Sequence, residues 1–76
     1  MKKVRVNVPN ISCEGCKATI EEAVSSLNGV LAVIADVEGK YVDTSYNESD
    51  TSVEAITAKI ADSGYQVKDW HWLPVE

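Results

Sequence analysis

Cys13 and Cys16 are the only two cysteines in the 76-residue chain, and only Glu14 and Gly15 separate them. Two thiols at this spacing can close on one soft metal ion or on each other. The thiolate is the form that binds metal and attacks disulfides, so what surrounds the sulfurs decides their chemistry. A helix opening at this pair would present unpaired backbone N–H groups and the positive end of its dipole to them, favouring negative charge. Lys17 adds a nearby positive charge and Glu14 opposes it. Gly15 lets the loop bend so that both sulfurs can face one ion.

The elements that must hold this loop are legible from periodicity. Val4, Val6 and Val8 alternate with Lys3, Arg5 and Asn7, which predicts a half-buried strand ending near Val8, and Pro9-Asn10 opens a loop. From Cys16 the period changes, with Cys16, Ile20, Ala23, Val24 and Leu27 on one helical face and Lys17, Glu21, Glu22 and Ser25 on the other. Asn28-Gly29 is expected to end that helix, with Gly29 in the left-handed conformation. Val30 to Val37 reads as a second strand, Glu38-Gly39-Lys40 as a hairpin turn, and Tyr41 to Tyr46 as a third strand with Val42, Thr44 and Tyr46 facing inward. Asp50 or Thr51 is expected to cap a second helix carrying Val53, Ile56 and Ile60. Ser63-Gly64 stops it, Tyr65 to about Trp72 is expected to be the last strand, and Pro74-Val75-Glu76 a fraying tail.

The order β-α-β-β-α-β, in one domain over residues 1–76, buries two helical stripes against four alternating strands. This predicts an α+β, ferredoxin-like open-faced β-sandwich, with an antiparallel sheet in the order 4-1-3-2 and both helices on one face. That topology bears on the metal. His71, six residues beyond Tyr65 on a strand running away from the cysteine loop, should lie about 20 Å from the thiols. It is a poor third ligand, and structural zinc wants four. Soft thiolates at low coordination number suit Cu(I), while Glu14 keeps a divalent ion such as Zn(II) open.

Composition narrows the rest. Hydrophobic residues at 45% and charged residues at 25% fit an ordinary globular domain, and a net charge of −5 lacks the basic stripe that nucleic acid would require. Glu14, Glu21 and Glu22 form an acidic patch that suits a basic partner or plain solvation. The basic start Met1-Lys2-Lys3 is followed by no signal-peptide core, and no apolar run approaches the ~20 residues of a membrane span. A cytoplasmic setting is expected, where structural disulfides are rare. Trp70 and Trp72 share one sheet face. If Trp70 lies with Ile34 on the helix-free face, an exposed apolar patch results, either a docking surface or a cover for the sheet.

Ile11-Ser12-Cys13-Glu14-Gly15-Cys16 resembles the Met-x-Cys-x-x-Cys loop of heavy-metal-associated domains. That family includes small copper chaperones and the N-terminal metal-binding domains of copper-transporting P-type ATPases. Asn28-Gly29-Val30, Val33-Ile34-Ala35-Asp36 and Ser63-Gly64-Tyr65 are similar to further family stretches in the same order. The resemblance implies a non-enzymatic metallochaperone-like domain that binds one Cu(I) in near-linear coordination through Cys13 and Cys16. It would pass the ion by ligand exchange to a copper-transporting ATPase, with a metal-bridged homodimer as a further form. It also implies that Tyr65 shields the site and that Ile11, in place of the family's methionine, packs under the loop. Ser12 stands where threonine is commoner, and it is not the acidic residue of zinc-selective relatives. The rivals are a Zn(II) or other heavy-metal domain of a P-type ATPase and a dithiol oxidoreductase. The Met1 start and short tail favour a stand-alone chaperone over an excised ATPase domain.

Overall fold

The computed structural model describes residues 1–74; of the tail, Val75 and Glu76 lie outside the described residues. The elements are β1 (Lys2–Asn7), α1 (Glu14–Ser25), β2 (Val30–Asp36), β3 (Tyr41–Tyr46), α2 (Val53–Asp62) and β4 (Asp69–Trp72). The four strands form one antiparallel sheet in the order β2-β3-β1-β4. This is the expected open-faced ferredoxin-like arrangement, with β1 in the interior and β2 and β4 at the edges.

Alternation decides which face each strand buries. Val4, Val6 and Val8 meet Val42, Thr44, Tyr46 and Ala35 from the sheet and Ile20, Val24, Ile56 and Ile60 from the helices, in one core beneath both helices. Burying each of these valine and isoleucine side chains contributes about 1.5–3 kcal/mol. The opposite face is polar. There Arg5 donates from Nε and an Nη to the two carboxylate oxygens of Asp43 at 2.8 and 3.0 Å. Its guanidinium lies 4.0 Å from the centroid of the Tyr41 ring. The Tyr41 hydroxyl donates to Asp36 at 3.0 Å, so β1, β3 and β2 are laced together on the side without helices.

Several boundaries differ from expectation. Helix α1 ends at Ser25, ahead of Asn28-Gly29, because the Ser25 and Ser26 hydroxyls donate to the carbonyls of Glu22 and Ala23 and compete with further helical bonds. Gly29 keeps its left-handed φ of 90°, but it leads into β2 and is not the residue after the helix. Helix α2 is capped by Ser52, whose hydroxyl accepts from the Ala55 N–H, and not by Asp50 or Thr51. Strand β4 starts at Asp69, four residues later than expected. Pro9, on the stretch that would face residues 65–68, has no N–H to give a ladder, and there Gln66 donates to the Asn10 side chain instead.

The tryptophans also correct an expectation. Trp70 pairs with Val6 and Trp72 with Val4, so both indoles lie on the helix side of the sheet, away from Ile34. Ile34 pairs with Asp43, on the helix-free face. The two rings meet edge to face with centroids 5.1 Å apart, and the Lys2 ammonium sits 5.4 Å from the Trp72 centroid.

Among the described residues the core holds one polar atom without a partner, the hydroxyl of the fully buried Thr44. An unmade buried hydrogen bond costs about 1–3 kcal/mol. Thr44→Val, nearly the same shape, should therefore raise unfolding stability by about 1 kcal/mol. Urea denaturation followed by far-UV circular dichroism measures this, and a loss of stability would show that the hydroxyl is satisfied.

Candidate metal centre

Ile11 roots the cysteine loop: its side chain is completely buried among the core residues, while Ser12, Cys13, Glu14 and Gly15 after it are exposed. Cys13 is the N-cap of α1, in extended conformation, and its sulfur accepts from the Cys16 N–H at 3.3 Å. One residue thus does two jobs, ending the loop and satisfying a first-turn donor. Cys16, in that first turn, is half-buried against the core. The sulfurs are 2.9 Å apart, both thiols are free, and the pair shares a hydrogen bond.

This geometry moves the titration of Cys16. Its thiol is pulled down from 9.0 to about 6, first by the hydrogen bond with Cys13, then by that with the Tyr65 hydroxyl and the backbone of Ser12. The Tyr65 hydroxyl is pushed up in turn, chiefly because it donates to Cys16. A proton shared between two sulfurs at this distance belongs to the pair. At neutral pH the site therefore carries a negative charge at a helix N-terminus, the arrangement that makes a thiol a good ligand and a good nucleophile.

The other anticipated residues divide. Tyr65 stands against Cys16, on the segment that precedes β4. Ser12 is exposed and turns its backbone to Cys16. Lys17 is half-buried; the Asp36 carboxyl, held below its ordinary value chiefly by the Gly39 N–H and the Tyr41 hydroxyl, is lowered a little further by the Lys17 charge. His71 pairs with Arg5 within β1, on the helix-free face, and is not part of the site. No group of three or more His, Cys, Asp or Glu side chains able to hold a metal occurs among the described residues.

Two contacts were invisible in the sequence pattern. Glu21, on the outward face of α1, accepts from the Ala35 N–H at 3.0 Å and so occupies a position on the open edge of β2. Lys40 donates from its ammonium to the Ile11 carbonyl at 2.9 Å, across 29 positions of sequence. The only signal for the latter was topological, since the β2–β3 hairpin turn falls at the same end of the sheet as the cysteine loop.

Chemically, the site offers two sulfurs at the protein surface, a proton shared between them, and a hydroxyl beside one sulfur. Comparison with known proteins agrees with a soft-metal reading. Residues 5–66 match the family described as Heavy-metal-associated domain. The copper chaperone CopZ of Staphylococcus haemolyticus is 38% identical over 63 residues, covering 83% of this chain and 93% of that protein. The periplasmic component of a mercuric transport system from Pseudomonas aeruginosa is 32% identical over 62 residues, covering 82% of this chain and 68% of that protein. The crystal structure of a copper binding domain from the P-type ATPase HMA7 superposes with a TM-score of 0.84 at 24% identity, covering 97% and 96% of the two chains, a likeness of fold.

The Cys16 shift predicts a pH dependence. Between about 6 and 9 the folded chain has lost a proton that the unfolded chain still holds. Stability of the reduced, metal-free protein should therefore rise with pH across that window, and the contribution should vanish as pH falls through about 6. Tyr65→Phe removes a hydrogen bond to the thiolate, so the lower edge of the window should move up. Urea unfolding at a series of pH values checks both, with Cys16→Ser as the flat reference.

Proposed function

Because the chain belongs to the heavy-metal-associated domain family, we propose that it binds one Cu(I) ion through Cys13 and Cys16 and hands it to a copper-transporting P-type ATPase. The observation that carries this reading is the pair of free, surface-placed sulfurs at the N-terminus of α1 with no third ligand gathered around them among the described residues. Soft thiolates select Cu(I), and two of them suffice for it. Zinc in a structural site takes four ligands, so here it would need donors from water or from another molecule. The work is binding and transfer, without covalent catalysis.

Transfer follows from the same openness. An incoming thiolate from the acceptor's own cysteine pair can add to a two-coordinate ion while Cys13 and Cys16 still hold it. A three-sulfur intermediate then resolves toward either side, and copper never enters water. The Tyr65 hydroxyl donates to Cys16 when that sulfur is released as thiolate, which stabilises the empty state. Two copies of this chain could share one ion by the same geometry, a copper-bridged dimer. A reducing, cytoplasmic setting belongs to the proposal, because sulfurs this close would close on each other under oxidation and the site would be lost.

The reduced protein titrated with Cu(I) against a chelator of known affinity, with Zn(II) in competition, tests the reading. One Cu(I) per chain should bind and should win over zinc at comparable free-metal levels. Cys13→Ser and Cys16→Ser should each abolish tight binding. Zinc winning would favour a divalent-metal domain, and steady turnover of a disulfide substrate without tight copper binding would favour an oxidoreductase.

A further inference from the structure

Lys40 is the one non-glycine residue with positive φ among the described residues, at 57°. A side chain in the left-handed region costs roughly 1–2 kcal/mol, and glycine would sit there without that cost. An observed backbone outlier of this kind asks what its side chain does. Here both ends of the residue are engaged with one stretch of chain. The Lys40 carbonyl accepts from the Val8 N–H at 2.8 Å, and its ammonium donates to the Ile11 carbonyl at 2.9 Å. Between those points Val8 and Ile11 form a turn of their own, Ile11 N–H to Val8 carbonyl at 3.2 Å. The Ile11 carbonyl belongs to the peptide that leads into Ser12 and Cys13.

We propose that Lys40 is a positioning residue for the cysteine loop, a two-point clip across Val8–Ile11 that sets how readily the loop opens to take and release its ion. The inference rests on the metal-binding reading above. Near-linear two-sulfur coordination requires the opening. The sulfurs stand 2.9 Å apart, whereas two sulfurs on one ion at the ~2.3 Å of a metal–thiolate bond stand up to ~4.6 Å apart. The loop must therefore spread, and its spreading pulls on a peptide that the ammonium holds. Unlike a charge placed beside the sulfurs, Lys40 acts on the backbone, so it changes exchange rates without being a ligand.

Amide hydrogen exchange of the reduced, metal-free protein tests this independently of any metal. In Lys40→Met, which keeps the alkyl stem and loses the ammonium, the Ile11 and Lys17 amides should exchange about fivefold faster, while the β1–β3 ladder amides stay within about twofold of wild type. Lys40→Gly should loosen the same amides without lowering overall unfolding stability, because glycine accepts the left-handed φ. Lys40→Arg should restore protection. Loaded Lys40→Met should release Cu(I) to a chelator about fivefold faster. Unchanged Ile11 and Lys17 exchange in Lys40→Met overturns the proposal, and so does a uniform loosening of the whole ladder, which would make Lys40 a merely structural residue. Failure of the wild-type protein to bind copper would sink the proposed function while leaving the amide result to judge the clip.

Discussion

Between Val8 and Ile20 the chain buries one side chain completely, that of Ile11. Everything at the site hangs from that anchor. The central strand β1 delivers the chain to the end of the sheet, Ile11 returns it into the core, and the next residues are left to water. The aliphatic Ile11 side chain fills this position within the buried core cluster, against which Cys16 also packs. The result is a loop with a fixed root and a free tip, and Cys13 and Cys16 are on the tip side.

The two faces of the sheet divide the remaining work. On the helix side, β1 packs its valines against both helices, which aims α1 so that its first turn meets the cysteine loop. On the other side no helix covers the sheet, and polar chemistry takes over. Arg5, Asp43, Tyr41 and Asp36 form a chain of paired groups that leaves little polar potential unmet. Asp36 closes the chain by accepting from the Gly39 N–H as well, an interaction that also holds its carboxyl below the ordinary range. The hairpin that carries Lys40 is thus braced from the uncovered face while it grips the loop from the edge.

Strand and helix identities were legible because each stretch keeps one period: the Val4-Val6-Val8 alternation, the Ile20-Val24 spacing and the Val42-Thr44-Tyr46 set all point the way their side chains point in the fold. Ends were harder, and for local reasons. The serine hydroxyls that stop α1 compete for carbonyls that periodicity takes no account of. Residues Tyr65 and Val67 alternate like a strand and are half-buried like one, but Pro9 opposite them removes the donor that a ladder would use. The tryptophan face was misread because alternation says which residues share a face and says nothing of which face that is; the register with β1 decides it. At the site, the cysteine pair was legible from its spacing, whereas Tyr65 beside it was implied only by the family resemblance. The Lys40 and Glu21 contacts were not legible, since each joins residues far apart in sequence and carries no periodic signal.

Both tryptophans of the chain stand on β4, an edge strand bonded to β1 alone. The two residues are 39% and 50% exposed. Indole emission from this protein therefore reports the attachment of its last strand, while the packing of the core is silent in that channel. Tyr46 in the core, Tyr41 on the uncovered face and Tyr65 at the sulfurs occupy three other environments. Excited where only indole absorbs, the protein thus reports on its last strand and not on the three tyrosine environments.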